Sequence, residues 1–165
     1  MADIKSKLAA VKEAQLEGGG SFAFFNANVE TLLPSLDAGA AGFSGISANF
    51  YPHLHAWLCA AAGANGGDVA KRKREREAME RVQDFLSLAE ATVCVAYPHS
   101  AKTYLGLNYG QLTLGAGCRK PELAKVELAP HQREALQAMW RTQRALSFSV
   151  GAVEIDPATA ATLRD

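Results

Sequence analysis

The sequence has no excess of charge of either sign: Lys+Arg and Asp+Glu both total 17, for a net charge of zero. A chain without a global basic field has no long-range means of recruiting nucleic acid or an anionic membrane surface. Cysteine is scarce as well. Cys59, Cys94 and Cys118 are far apart and odd in number, and no pair has zinc-ligand spacing. We read them as reduced thiols of a cytoplasmic protein, with Cys59 and Cys94 as small core residues in apolar runs. No apolar run reaches the roughly 18 residues, free of breakers, that a spanning helix needs, and Met1 to Lys12 is charged and amphipathic, unlike a secretory signal. Internal repeats, a P-loop, a dinucleotide fingerprint and a serine-hydrolase elbow are all absent.

What remains is the composition of a globular domain, 48% hydrophobic and 21% charged over 165 residues. At this length about two-thirds of the unfolded surface can be buried. Ile4, Leu8, Val11 and Ala14 fall at helical spacing within Ile4 to Leu16, and Gly18-Gly19-Gly20 ends that helix. Ser21 to Phe25 is a short aromatic run without alternation, which predicts a strand buried on both faces, as in a parallel sheet. Asn28 suits the N-cap of a helix over Val29 to Ala38, and Pro34 implies a kink or a late start. Gly39 ends it, and Gly42 to Ser47 predicts a second strand. A strand–helix–strand unit with tight connections places its strands parallel.

From Tyr51 the pattern is helical, with Leu54 to Ala62 apolar and a break at Gly63 to Gly67. Asp68 can cap a long helix to about Thr92, whose Met79, Val82, Leu86, Ala89 and Val93 share a face. Ser100 to Leu107 predicts a shorter helix and Leu114 to Pro130 a loop. Pro130 opens a last helix, His131 to Phe148, with Leu136, Met139, Trp140, Gln143 and Leu146 near one stripe. The organisation is unbalanced, because two short parallel strands cannot bury both faces alone.

The stretch Leu36 to Pro52, LDAGAAGFSGISANFYP, resembles the dihydrodipicolinate synthase and N-acetylneuraminate lyase family. Phe22 to Leu33 is similar to that family's seventh strand and following helix. Asp68 to Ala91 resembles the helix that often starts with Gly-Asp. Lys102, Leu105, Gly106, Arg119 and Pro121 resemble its Lys, Leu, Gly, Arg-Pro connection. The resemblance implies an α/β fold: the last two strands of a (β/α)₈ barrel with their helices over residues 1–67, a C-terminal helical bundle over 68–150, and a tail over 151–165. A full barrel has eight strands and about 250 residues, so the match begins just after the sixth strand.

Members of the family are class I aldolases and lyases that form a Schiff base between a lysine and pyruvate or another 2-oxo acid, with no cofactor or metal. That lysine ends strand six, and its position would fall at or before Ala2; the partner tyrosine and the hydroxyls that bind the carboxylate belong to earlier strands. No catalytic residue is therefore assigned. Lys5 is near in register, but Ser6 and Lys7 beside it look like the solvated face of a helix. The resemblance implies substrate contacts at the two strand ends, Asn26, Ala27 and Asn28 and then Ser44, Gly45, Ile46 and Ser47. Ala27 and Asn28 depart from the family's usual Gly and acidic residue, which leaves the substrate class open. Asn26 and Asn28 equally suit turn and cap positions.

A 2-oxo acid is thus expected as a partner only if the barrel is completed, by a complementing N-terminal fragment or within a homo-oligomer. The other function class is a non-catalytic helical interaction protein that keeps the barrel tail as a docking surface. Asn49 reads as structural. His53 and His55, two apart at a helix start with no third ligand nearby, read as surface or satisfied histidines rather than metal ligands. Lys71 to Arg76 is a basic run, but Glu75, Glu77 and Glu80 interleave with it, so it reads as a solvated helix face with no nucleic-acid or membrane partner.

Overall fold

A computed structural model describes residues 2–18, 20, 22–63, 69–94, 97–109 and 127–152. The expected Asp68 cap, Cys118, Arg119, Pro121 and the tail beyond residue 152 lie outside them. Helix α1 runs over Ala2–Gly18. It buries Leu8, half-buries Ile4 and Val11, and leaves Ala14 exposed.

The strand–helix–strand unit is present in reduced form. Strand β1 is Phe25–Asn26 and β2 is Gly42–Phe43, paired parallel with Phe25 opposite Gly42 and Asn26 opposite Phe43. The ladder extends through Ala41 N–H to Phe24 O at 2.7 Å and Ser44 N–H to Asn26 O at 2.9 Å. A strand buried on both faces over Ser21 to Phe25 is not what forms: Phe22 is 64% and Phe25 53% exposed. Helices α2 (Leu32–Asp37) and α3 (Pro52–Gly63) pack on β2, and two strands are too few to hold a second covering layer.

Between β1 and α2 the chain makes a 3-10 turn, Val29–Thr31, capped by Asn28, whose Oδ1 accepts the Thr31 N–H at 3.3 Å. The α-helix starts late, at Leu32, so that Pro34 falls in its first turn, where its missing N–H costs nothing. Gly39, at φ 104°, ends the unit in the left-handed region that glycine tolerates. After β2 the expected strand over Ile46 and Ser47 is instead a 3-10 turn, Ile46–Asn49. Ser47 O accepts the N–H groups of Phe50 and Tyr51 at 3.0 and 3.1 Å, bending the chain into α3.

The remaining elements are helices α4 (Val69–Val93), α5 (His99–Tyr109) and α6 (Pro130–Val150). Among the described residues the protein is therefore mostly helical with one small parallel sheet. Val82, Leu86, Ala89 and Val93 form the buried stripe of α4, with Met79 partly buried beside them. Leu136 and Gln143 lead that of α6. One apolar cluster joins these to Val29, Leu32, Leu33, Phe50, Tyr51, Leu54 and Leu58 of the first 67 residues. Each such side chain contributes about 1.5–3 kcal/mol by leaving water, so the helical half and the strand unit are stabilised by the same core.

The centre of that core holds a polar clasp. Gln83 on α4 accepts the Leu33 N–H at 2.7 Å and donates to Val29 O and Ser87 Oγ, both at 2.8 Å. Thr31 at the N-cap of α2 makes no side-chain cap bond, so Gln83 satisfies a first-turn N–H from a distant helix. At the surface Arg76 reaches both Asp37 oxygens and Glu80 at 2.9 Å. No helix among the described residues is long and apolar enough to cross a membrane.

Candidate functional site at the strand ends

The carboxyl ends of β1 and β2 come together, and a glycine makes this possible. A Cβ on Gly45 would lie 2.7 Å from Ala27 O and collide with the Phe43 ring. The segments 26–28 and 44–47 are thus adjacent. Their side chains, however, divide into two groups.

Asn26 and Ser47 are buried and committed inward. The Asn26 amide donates to Thr31 O at 3.1 Å and lies 3.0 Å from both Thr31 Oγ1 and Ser35 Oγ, while its Oδ1 accepts the Asn28 N–H at 2.9 Å. Both the amide nitrogen and the carbonyl oxygen of that side chain are engaged in the turn. Ser47 Oγ lies 3.1 Å from His55 Nε2, and His55 Nδ1 lies 2.8 Å from Tyr51 O. A carbonyl only accepts, so Nδ1 carries the proton and Nε2 accepts from the Ser47 hydroxyl. Phe43 stacks on the imidazole with ring centroids 4.5 Å apart and planes 17° from parallel. Burial pushes His55 down to about 4, against the Tyr51 carbonyl bond, which raises it, and with His53, which lowers it further. Cys59, half-buried beside β2, has its thiol pushed up by burial, which a hydrogen bond with the Phe43 backbone opposes.

Ala27, Asn28, Ser44 and Ile46 are exposed, with Gly45 half-buried between them. They offer one amide, one hydroxyl, backbone groups and an apolar side chain. That set can seat part of a ligand, but it holds no acid, base or nucleophile. The nearby imidazole is buried and neutral, and Lys5 is exposed on α1.

His53 does not join His55. Its Nε2 lies 2.7 Å from Gln143 Oε1 and 2.8 Å from Ser147 Oγ, tying α3 to α6. Among the described residues no group of three or more His, Cys, Asp or Glu side chains could hold a metal ion. The basic run on α4 is interleaved with its own carboxylates, Lys71 to Glu75 at 3.8 Å and Lys73 to Glu77 at 4.0 Å. A cavity of about 280 Å³ opens elsewhere, between α4, α5 and α6, over Leu128 and Leu136 with Thr92, Ser100 and His131 at its sides.

Gln83 is not singled out by the sequence, although it is a polar residue beside the apolar positions Met79, Val82 and Leu86. His55 is a satisfied histidine, as the sequence suggests, but its partner Ser47 carries no signal, because only the 3-10 turn brings Ser47 back onto α3. No family model, no curated protein and no solved structure matches the chain.

Proposed function

We propose that these residues are the C-terminal part of a (β/α)₈ class I aldolase or lyase of the dihydrodipicolinate synthase and N-acetylneuraminate lyase type. In this proposal β1 and β2 are the last two barrel strands and α4 to α6 the helical extension. The complete form acts on pyruvate or another 2-oxo acid in the cytoplasm through a Schiff-base lysine supplied from outside these 165 residues. The observation that carries it is the β1–β2 pair: parallel, joined through α2, with carboxyl ends in contact and Phe22 and Phe25 uncovered. Parallel strands belong in sheets covered on both faces, and barrel enzymes act at the carboxyl ends of their strands. Ala27, Asn28, Ser44, Gly45 and Ile46 would then face the tail of the substrate, with Asn26 and Ser47 holding the turns that present them.

Borohydride reduction with pyruvate tests this. The chain alone should gain no mass, because a Schiff base needs a lysine whose amine is uncharged in a pocket. Mixed with a segment that supplies the preceding strands, it should support trapping on that segment's lysine. Stoichiometric modification of Lys5 in the isolated chain would refute the assignment, as would a segment that binds without restoring any trapping.

A second function, a non-catalytic interaction protein, is favoured by one specific observation: Asn26 and Ser47 spend their polar groups inside the fold. Association of the chain with a partner that carries no lysine-bearing strand would support it.

A further inference from the structure

Helices α4, α5 and α6 leave a cavity of about 280 Å³ between them, away from the strand ends. Its floor is apolar and buried: Leu128 and Leu136 are 6% and 1% exposed, with Ala135 half-buried beside them. Ser100 also lines it at 1% exposure, but its hydroxyl donates to Val93 O at 2.6 Å and has no proton left for a ligand. The walls are fixed before anything binds. The Ala129 N–H donates to Gln132 Oε1 at 2.8 Å and Arg133 Nε donates to Leu128 O at 3.4 Å, which ties the floor to the first turn of α6.

The mouth is polar. Thr92 and Gln132 are half-buried there and His131 is exposed. The Oε1 of Gln132 is spent on Ala129, which leaves its amide NH₂ to donate. Thr92 adds a hydroxyl and His131 a ring N–H, and none of the residues lining the cavity is acidic. The first turn of α6 also brings the positive end of a 21-residue helix to this side. Donors gathered at the mouth of an apolar cavity suit an amphiphile that enters tail first and leaves an acceptor head at the rim.

We propose that this cavity binds a small aliphatic monocarboxylate, its chain over Leu128, Ala135 and Leu136 and its carboxylate held by Thr92, His131 and Gln132. At about 30 Å³ for each water-sized group, the volume takes about nine heavy atoms, which hexanoate nearly fills. Each methylene moved from water into the cavity should tighten binding about fourfold. An ammonium head offers only donors, which the Gln132 amide and the helix end oppose. The site lies within α4 to α6 and does not depend on an aldolase lineage.

The test follows backbone amide shifts by NMR in the full chain at pH 7, titrated with butanoate, pentanoate and hexanoate. Shifts should saturate at residues 91–92 and 128–136, with affinity rising about fourfold per added carbon. Hexylamine should bind at least tenfold more weakly than hexanoate. Ala135→Leu fills the cavity and should abolish saturation at an unchanged urea midpoint, while His131→Ala, at an exposed position, should weaken hexanoate more than hexanol. Should Ala135→Leu lower the midpoint, the chain-length series on the unaltered protein still decides. Affinity that ignores chain length, equal binding of the amine, or undiminished binding to a folded Ala135→Leu protein overturns the proposal. So do shifts at Phe22 to Phe25 in place of α6, which mean adsorption to the exposed aromatic rings.

Discussion

Replacing Gln83 with Leu keeps the size of the side chain and removes the polar clasp at the centre of the core. Three bonds disappear: from Leu33 N–H, to Val29 O and to Ser87 Oγ. The serine retains its bond to the Gln83 carbonyl at 2.8 Å, so its loss is small. The Val29 carbonyl keeps the Leu32 N–H, but the N–H of buried Leu33 loses its Gln83 acceptor. Each unsatisfied buried group costs about 1–3 kcal/mol, and the added apolar burial of Leu offsets part of this. A net loss of about 1–2 kcal/mol follows, a sizeable share of a stability of about 5–15 kcal/mol. Urea denaturation followed by circular dichroism should show a lower midpoint with an unchanged slope. Ser87→Ala, which removes two part-buried bonds with Gln83, should cost about 1–2 kcal/mol. If Gln83→Leu were neutral while the slope held, Gln83 would not be capping α2, and the account of how the strand unit is anchored to the helices would be wrong.

Other outcomes follow from the same geometry. His55 has an ordinary value of 6.5 and about 4 when folded, so the unfolded chain binds the extra proton first. Stability is then full above pH 6.5 and falls by about 3 kcal/mol as pH drops through about 4; urea midpoints at pH 7, 5 and 4 should show the loss and His55→Gln should abolish it. Gly45→Ala forces a Cβ against Ala27 O and the Phe43 ring, which should cost about 1–3 kcal/mol, with thermal melting as the check. Arg76→Ala should change stability by no more than about 1 kcal/mol, because its pairs with Asp37 and Glu80 are half-exposed; a larger loss would mean that this bridge, not Gln83, holds α4 to α2. With Phe22 and Phe25 uncovered, the isolated chain should associate or bind a hydrophobic dye, and a compact monomer in sedimentation that binds none would refute that expectation.

Local chemistry determined much of the architecture. The stripe Val82, Leu86, Ala89 and Val93, the proline opening α6 and the glycine after α2 act through spacing and backbone preference within a few residues, so helix positions were legible to within a turn. The Asn28 cap was legible for the same reason, since its partner is three residues away. The strands were less so. Aromatic composition suggests a strand over Ser21 to Phe25, but a ladder forms only where a partner stands opposite, and β2 reaches only as far as Phe43. The fate of Ile46 and Ser47 was also undecided by propensity. Gly45 lets the chain approach Ala27, Ser47 turns it into α3, and His55 takes the hydroxyl that the sequence offered to a substrate. His53, two residues away, instead finds Gln143 and Ser147, 90 and 94 residues along the chain. Hydrogen-bond partners that distant are chosen by which helices share a core, and only the tertiary structure decides that.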